Sequence, residues 1–187
     1  MSIRKKILAI SIGPVLVLGV ITLLFILTMV KSSLMDEVQD ALKGTAAATL
    51  AAYDQNTGDY LESTNGDIWK GSYNISKSES LVDRIKENTG MDVTFFYGNK
   101  RIMTSALDKK GNRILGSEAG ERVVNQVIKG KKPFFSTNVS LDGTRNYGYF
   151  IPVYQNGTTD QVIGMVFVGT NKARKDAIVN KILGSIM

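Results

Sequence analysis

Between Ile7 and Val30 the chain carries 24 consecutive residues without a charged side chain. As an α-helix this run is about 36 Å long, enough to cross the roughly 30 Å hydrocarbon core of a bilayer. Arg4, Lys5 and Lys6 stand immediately before it and Lys31 ends it. The positive-inside rule then places the N-terminus in the cytoplasm and everything after Lys31 outside the cell membrane. A cleaved signal peptide has a shorter apolar core followed by a small-x-small site, and Thr28-Met29-Val30-Lys31 supplies none. The run is therefore expected to stay as a single-pass anchor. This gives a cytoplasmic tail over 1–6, a transmembrane helix over 7–30, a stalk helix over 31–55, and an extracytoplasmic domain over 56–170.

Composition narrows what that domain does. The net charge is +6, from 23 basic and 17 acidic residues, and three of the basic ones precede the apolar run. The remaining charges are nearly balanced and interspersed, so the clustered basic face that nucleic acid requires is missing. The chain has no cysteine and no histidine. That excludes disulfides, thiolate or histidine zinc sites and a Ser-His-Asp triad. A carboxylate pair is the remaining route to hydrolysis, but the acids of the strand region sit mainly in turns, at Asp108, Asp142 and Asp160. We expect no enzyme and no cofactor.

Residues 32–53 carry Leu34, Val38, Leu42, Thr45, Thr49 and Ala52 at helical spacing. No proline or glycine separates this stretch from the apolar run, so one continuous rod is expected. Its small residues, Ala46 to Ala48 with Ala51 and Ala52, suit close helix packing. Asn56 to Gly66 reads as a loop and Ile68 to Ile75 as a strand. Ser76-x-x-Glu79 has capping-box spacing, opening a short helix that Gly90 stops. Strands follow over 91–97 and 100–106, then a turn at 108–112 and a helix over 118–129 ending at Gly130. Three more strands cover 133–141, 145–154 and 161–170. Their turns at Asp142-Gly143 and Asn156-Gly157 are strong hairpin signals. A final helix begins near Asn171 and runs over 171–187. This order predicts an α+β fold, an antiparallel sheet packed on the long helix.

The segments Phe95-Phe96-Tyr97-Gly98-Asn99-Lys100-Arg101-Ile102-Met103-Thr104-Ser105, Asp108–Asn112, Ile151-Pro152-Val153-Tyr154 and Val162–Gly169 carry a family resemblance. Together they resemble the single Cache domains, the extracellular sensors of methyl-accepting chemotaxis proteins and some sensor kinases. The resemblance covers about residues 68–170. It implies a PAS-like five-stranded antiparallel sheet with a small-molecule pocket under its membrane-distal loops, and homodimerisation through the long helix. It also implies a second transmembrane span, toward which Ile182–Met187 would lead.

The resemblance likewise suggests a site. In related citrate- and dicarboxylate-sensing kinases an Arg-x-x-His on a central strand holds the ligand. Arg101 matches that arginine, and Thr104 stands where the histidine would be. The positions before Pro152 are Gly148 and Phe150, without the basic groups of those kinases. A small ligand with a single carboxylate therefore fits better than a tricarboxylate. The candidate ligand-binding residues are Arg101, Thr104, Ser105, Tyr97, Tyr147, Tyr149 and Phe150. Phe95, Tyr97, Phe134, Tyr147 and Tyr149 lie at alternating positions that suit either a pocket or a core. The function expected is ligand sensing for a receptor, most directly a chemotaxis receptor. Input to a histidine kinase or cyclase is the alternative within that class, and a pilin-like anchored subunit the alternative outside it.

Overall fold

The structure, a computed structural model, describes residues 3–186, with side chains from Ile12 to Ser185. Met1 and Ser2 of the expected cytoplasmic tail, and Met187 of the last helix, lie outside the described residues. The chain divides into two units, residues 39–176 on one hand and residues 1–38 with 177–187 on the other. In the second of these, the helix α1 (Ile3–Asp54) begins with one stretch long and apolar enough to cross a membrane. Its apolar side chains, Val15, Leu16, Leu18 and Phe25 among them, are exposed all round the helix.

Unit 39–176 is built on five antiparallel strands: β4 (Asp92–Tyr97), β5 (Lys100–Thr104), β6 (Phe134–Leu141), β7 (Thr144–Tyr154) and β8 (Val162–Asn171). They pair in the order β5-β4-β8-β7-β6, so the last strand in the chain inserts at the centre of the sheet. The sheet agrees with the expected fold. A smaller antiparallel sheet precedes it, β1 (Tyr60–Glu62), β2 (Ile68–Lys70) and β3 (Tyr73–Asn74). Here the expected loop holds a strand and the expected strand is folded back on itself. Gly71 makes that fold possible: its φ is 55°, and a Cβ there would lie 1.8 Å from the Thr57 carbonyl oxygen.

One sheet face packs on the end of α1. Leu42, Ala46, Thr49 and Tyr53 are fully buried at spacings of four, three and four, one helical stripe. The Tyr53 ring meets Phe95 edge-on at 5.1 Å, and Tyr60 stacks on the same Phe95 at 5.8 Å. Tyr53 shares a 2.9 Å hydrogen bond with the Ser78 hydroxyl. Gln155, in the β7–β8 turn, accepts from the Tyr60 N–H at 2.7 Å and donates to its carbonyl at 3.0 Å. The buried Lys70 ammonium donates to the Gly58 carbonyl and to Asn156, 4.4 Å above the Tyr60 ring.

The helix α2 (Glu79–Thr89) differs from expectation at its start. A 3₁₀ turn occupies Ile75–Lys77, and no capping box forms. The Ser76 hydroxyl instead accepts from the Ile68 N–H, tying the small sheet to the turn. Its far end is as expected, with Gly90 at φ 68° donating to the Lys86 carbonyl.

Asp83 on α2 holds the Arg113 guanidinium through two hydrogen bonds of 2.9 and 2.5 Å, and Arg113 also donates to the Thr104 carbonyl. The Arg113 hydrogen bond, helped by its charge, holds the Asp83 carboxyl below the usual range. Because the folded value is the lower one, the pair's stabilisation is complete above the unfolded value near 4 and is lost as pH falls through the folded value. Asp83 is 44% exposed, so the pair is worth at most about 1 kcal/mol. Asp83→Asn should therefore lower the urea midpoint more at pH 7 than at pH 3. An equal loss at both pH values would assign the effect to packing instead.

Candidate ligand-binding site

The second sheet face carries Phe96 of β4, Met165 and Phe167 of β8 and Phe150 of β7, all buried in one cluster with Ala106, Val127 and Leu141. Over it lies a segment that the helical pattern misassigns. Residues 118–120 are not helical; the helix covers Glu121–Val123 and continues as a π-helical turn over Val124–Lys129. The residues before it run extended along the free edge of β5. Arg101 donates its N–H to the Ser117 carbonyl, Gly116 to the Arg101 carbonyl and Ala119 to the Asn99 carbonyl, at 2.8–2.9 Å. Covering that edge uses up the Ser117 carbonyl, the acceptor that a helix starting at Glu118 would have needed for its first bond.

Between this segment, the sheet face and β6 lies a cavity of about 490 Å³. Its floor is Phe96, Phe150 and Phe167; its walls include Glu118, Arg122, Val123, Phe134 and the polar run Ser136-Thr137-Asn138. Arg101 reaches it because of a bulge. Phe95 pairs with Met103 but Phe96 pairs with Arg101, so Ile102 is the extra residue. Without the bulge, Arg101 would share a face with Met103, on the α1 side; the extra residue re-aims it into the cavity.

Arg101 is 8% exposed and lies 5.4 Å over the Phe96 ring. It donates from Nη1 to the Ile114 carbonyl at 3.3 Å, while its buried Nε has no partner. Burial pulls its pKa below the usual arginine value, opposed by the charge of Asp92. Among the described residues no carboxylate forms an ion pair with it. A desolvated cation without an ion pair has the chemistry to receive an anion. Arg122 adds a second positive charge at the wall, 5.3 Å over the Phe134 ring.

The chain matches the family model for single Cache domain 3 over residues 73–182, more than half its length. It belongs to the single Cache family. Solved structures share the fold of this Cache domain at low identity. One is an extracellular ligand binding receptor from Desulfohalobium retbaense, 14% identical with a TM-score of 0.57, covering 81% of this chain and 25% of that one. Another is the sensory domain of the Campylobacter jejuni chemoreceptor Tlp3 with isoleucine bound, 13% identical with a TM-score of 0.54, covering 82% and 60%. A third is the ligand-binding domain of the same chemoreceptor in complex with L-valine, 11% identical with a TM-score of 0.54 and the same coverage. This Cache domain thus spans between a quarter and three-fifths of those chains. No curated protein matches it.

Of the seven residues singled out by sequence, Arg101 and Phe150 line the cavity. Thr104 lies on the same sheet face, but its hydroxyl is taken by Thr94 at 2.7 Å and by the Ala106 N–H. The Ser105 hydroxyl accepts from the Val93 N–H and donates to Asp92, pinning the end of β5 to β4. Tyr97, Tyr147 and Tyr149 pair with Gly164, Thr170 and Val168, which puts them on the opposite sheet face. Tyr147 donates to Asp176 at 2.5 Å, receives Lys172 at 2.6 Å, and stacks on Phe135. Sequence reasoning passed over Phe96, Phe167, Arg122 and Glu118. Phe96 was open to discovery, since alternation opposes it to Phe95.

Proposed function

We propose that this Cache domain is the extracytoplasmic sensor of a membrane receptor, most directly a chemoreceptor, and that it binds a small organic acid or apolar amino acid. The observation that carries the reading is Arg101, a buried guanidinium that lines the cavity and has no ion pair among the described residues. The ligand's carboxylate pairs with that guanidinium, and its apolar body lies on Phe96, Phe150 and Phe167. A volume of about 490 Å³ is in the range of small-molecule clefts. The amino acids bound by the Campylobacter chemoreceptor sensory domain, which shares the fold, have this chemistry. Residues 7–30 anchor the chain with the N-terminus in the cytoplasm. The exposed small residues Ala41, Gly44, Ala48 and Ala51 on α1 offer a close-packing stripe to a second copy. Catalysis has no place in this reading.

The test is a panel of L-amino acids and two- to six-carbon monocarboxylates against the full chain in detergent. A ligand at 100 times its dissociation constant should add about 2.7 kcal/mol of stability, read as a saturable rise in Tm. The same sample should sediment as a pair of chains. If no carboxylate shifts Tm and only cations or sugars do, the reading of Arg101 fails.

A further inference from the structure

Phe167 lies at the cavity floor, 1% exposed, and its ring rests over two glycines. Gly148 of β7 and Gly169 of β8 are partners across the ladder, on the same face as Phe167. A Cβ at Gly148 would stand 2.5 Å from Phe167 Cε2, and one at Gly169 would stand 2.4 Å from Phe167 Cζ. Neither glycine has a positive φ, so no backbone conformation calls for glycine at either place. Glycine inside a strand weakens it, by entropy and by the missing side chain. What the pair supplies is a shallow recess, two Cβ atoms wide, that takes the phenylalanine ring down out of the cavity. Phe150 stands 4.7 Å away, ring to ring, and closes the other direction.

We propose that Gly148 and Gly169 set the depth of the cavity, and through the seating of Phe167 fix how large an apolar body the ligand carries. This rests on the reading of the cavity as the ligand site. A methyl group at either glycine lifts the ring toward the cavity and excludes the bulkier ligands while leaving the smaller ones. The glycines act through Phe167, so they are specificity-determining by position and do not contact the ligand. One methylene in an apolar pocket is worth about 10- to 200-fold in discrimination, which sets the expected scale.

The experiment has two arms on the full chain in detergent. In the first, crystal structures of unliganded Gly148→Ala and Gly169→Ala are compared with the parent. The expected result is a displaced Phe167 ring and a smaller cavity; a ring that stays seated while β7 and β8 move apart overturns the proposal. In the second, calorimetry measures the series L-alanine, L-valine, L-isoleucine and L-phenylalanine, with acetate to hexanoate in parallel. Gly148→Ala should keep the affinity for the shortest binder and lower that for the longest by about 10- to 100-fold. Adding Phe167→Leu should restore the longest binder. A uniform loss along the series, or none, overturns the proposal. If the parent binds neither series but the ring is displaced, the sensor reading fails and the depth-setting role of the glycines stands.

Discussion

Arg101→Met is expected to weaken binding of the carboxylate ligand about 100-fold or more while leaving the unliganded protein as stable as before, or slightly more stable. The two halves of the expectation come from the same observation. The guanidinium is buried, has no ion pair among the described residues and leaves Nε unsatisfied, so in the empty protein it is a desolvated charge with a long bond to the Ile114 carbonyl. Replacing such a group by an apolar side chain of similar length is often neutral or stabilising. In the complex the same group meets the ligand's charge in a low-dielectric site, and removing one partner of a buried charge pair costs about 2–5 kcal/mol. Arg101→Lys should recover only part of the affinity, since a point charge lacks the planar fork. Calorimetry for affinity and thermal melts for stability read the two halves separately. If Arg101→Met instead loses several kcal/mol without ligand, Arg101 is holding the 114–119 segment in place, and its role in binding falls.

The contrast between Arg101 and Tyr147 shows what the sequence could and could not carry. An antiparallel sheet is written in the alternation of residues and in the hairpin turns, and its five strands are what the family resemblance implies. Asp142 and Gly143 both have positive φ, the conformation that Asp-Gly selects. The face to which each strand turns a given residue is another matter. Period-two alternation says that Tyr147 and Tyr149 share a face and that Phe150 takes the other, so the three could never have formed one wall. Which face holds the cavity depends on strand order, and the central partner of both β4 and β7 is β8, the last strand in the sequence. Arg101 is a harder case, because a one-residue bulge at Ile102 reverses its face and no residue type announces it. The 118–129 segment has helical periodicity throughout, but its first residues serve the exposed edge of β5, a tertiary demand that overrides local pattern. Thr104 and Ser105 are polar for a local reason: their hydroxyls satisfy neighbouring backbone and side chains where β4 and β5 end.

Phe95→Ala and Phe96→Ala should separate stability from recognition at two adjacent positions of β4. Both rings are buried, at 0% and 2% exposure, but on opposite sides of the sheet. Phe95 sits between Tyr53 and Tyr60, edge-on to one and stacked on the other, so its removal empties the seam between α1, the small sheet and the large one. Truncating such a ring costs about 3–5 kcal/mol. For a domain of this size that lowers Tm by roughly 10 °C or more, leaving it folded if its stability is ordinary. Its affinity for ligand, once corrected for the unfolded fraction, should be unchanged. Phe96 lies under the Arg101 guanidinium and forms part of the cavity floor. Its loss should also cost stability, since the ring is buried, but unlike the Phe95 change it should lower affinity, as Arg101 loses the surface that positions it. Melts and calorimetry on both variants read stability and affinity separately, and only Phe96→Ala should lose affinity. Loss of affinity in Phe95→Ala equal to that in Phe96→Ala would mean that the two sheet faces are energetically coupled, and the ligand site could no longer be assigned to one of them.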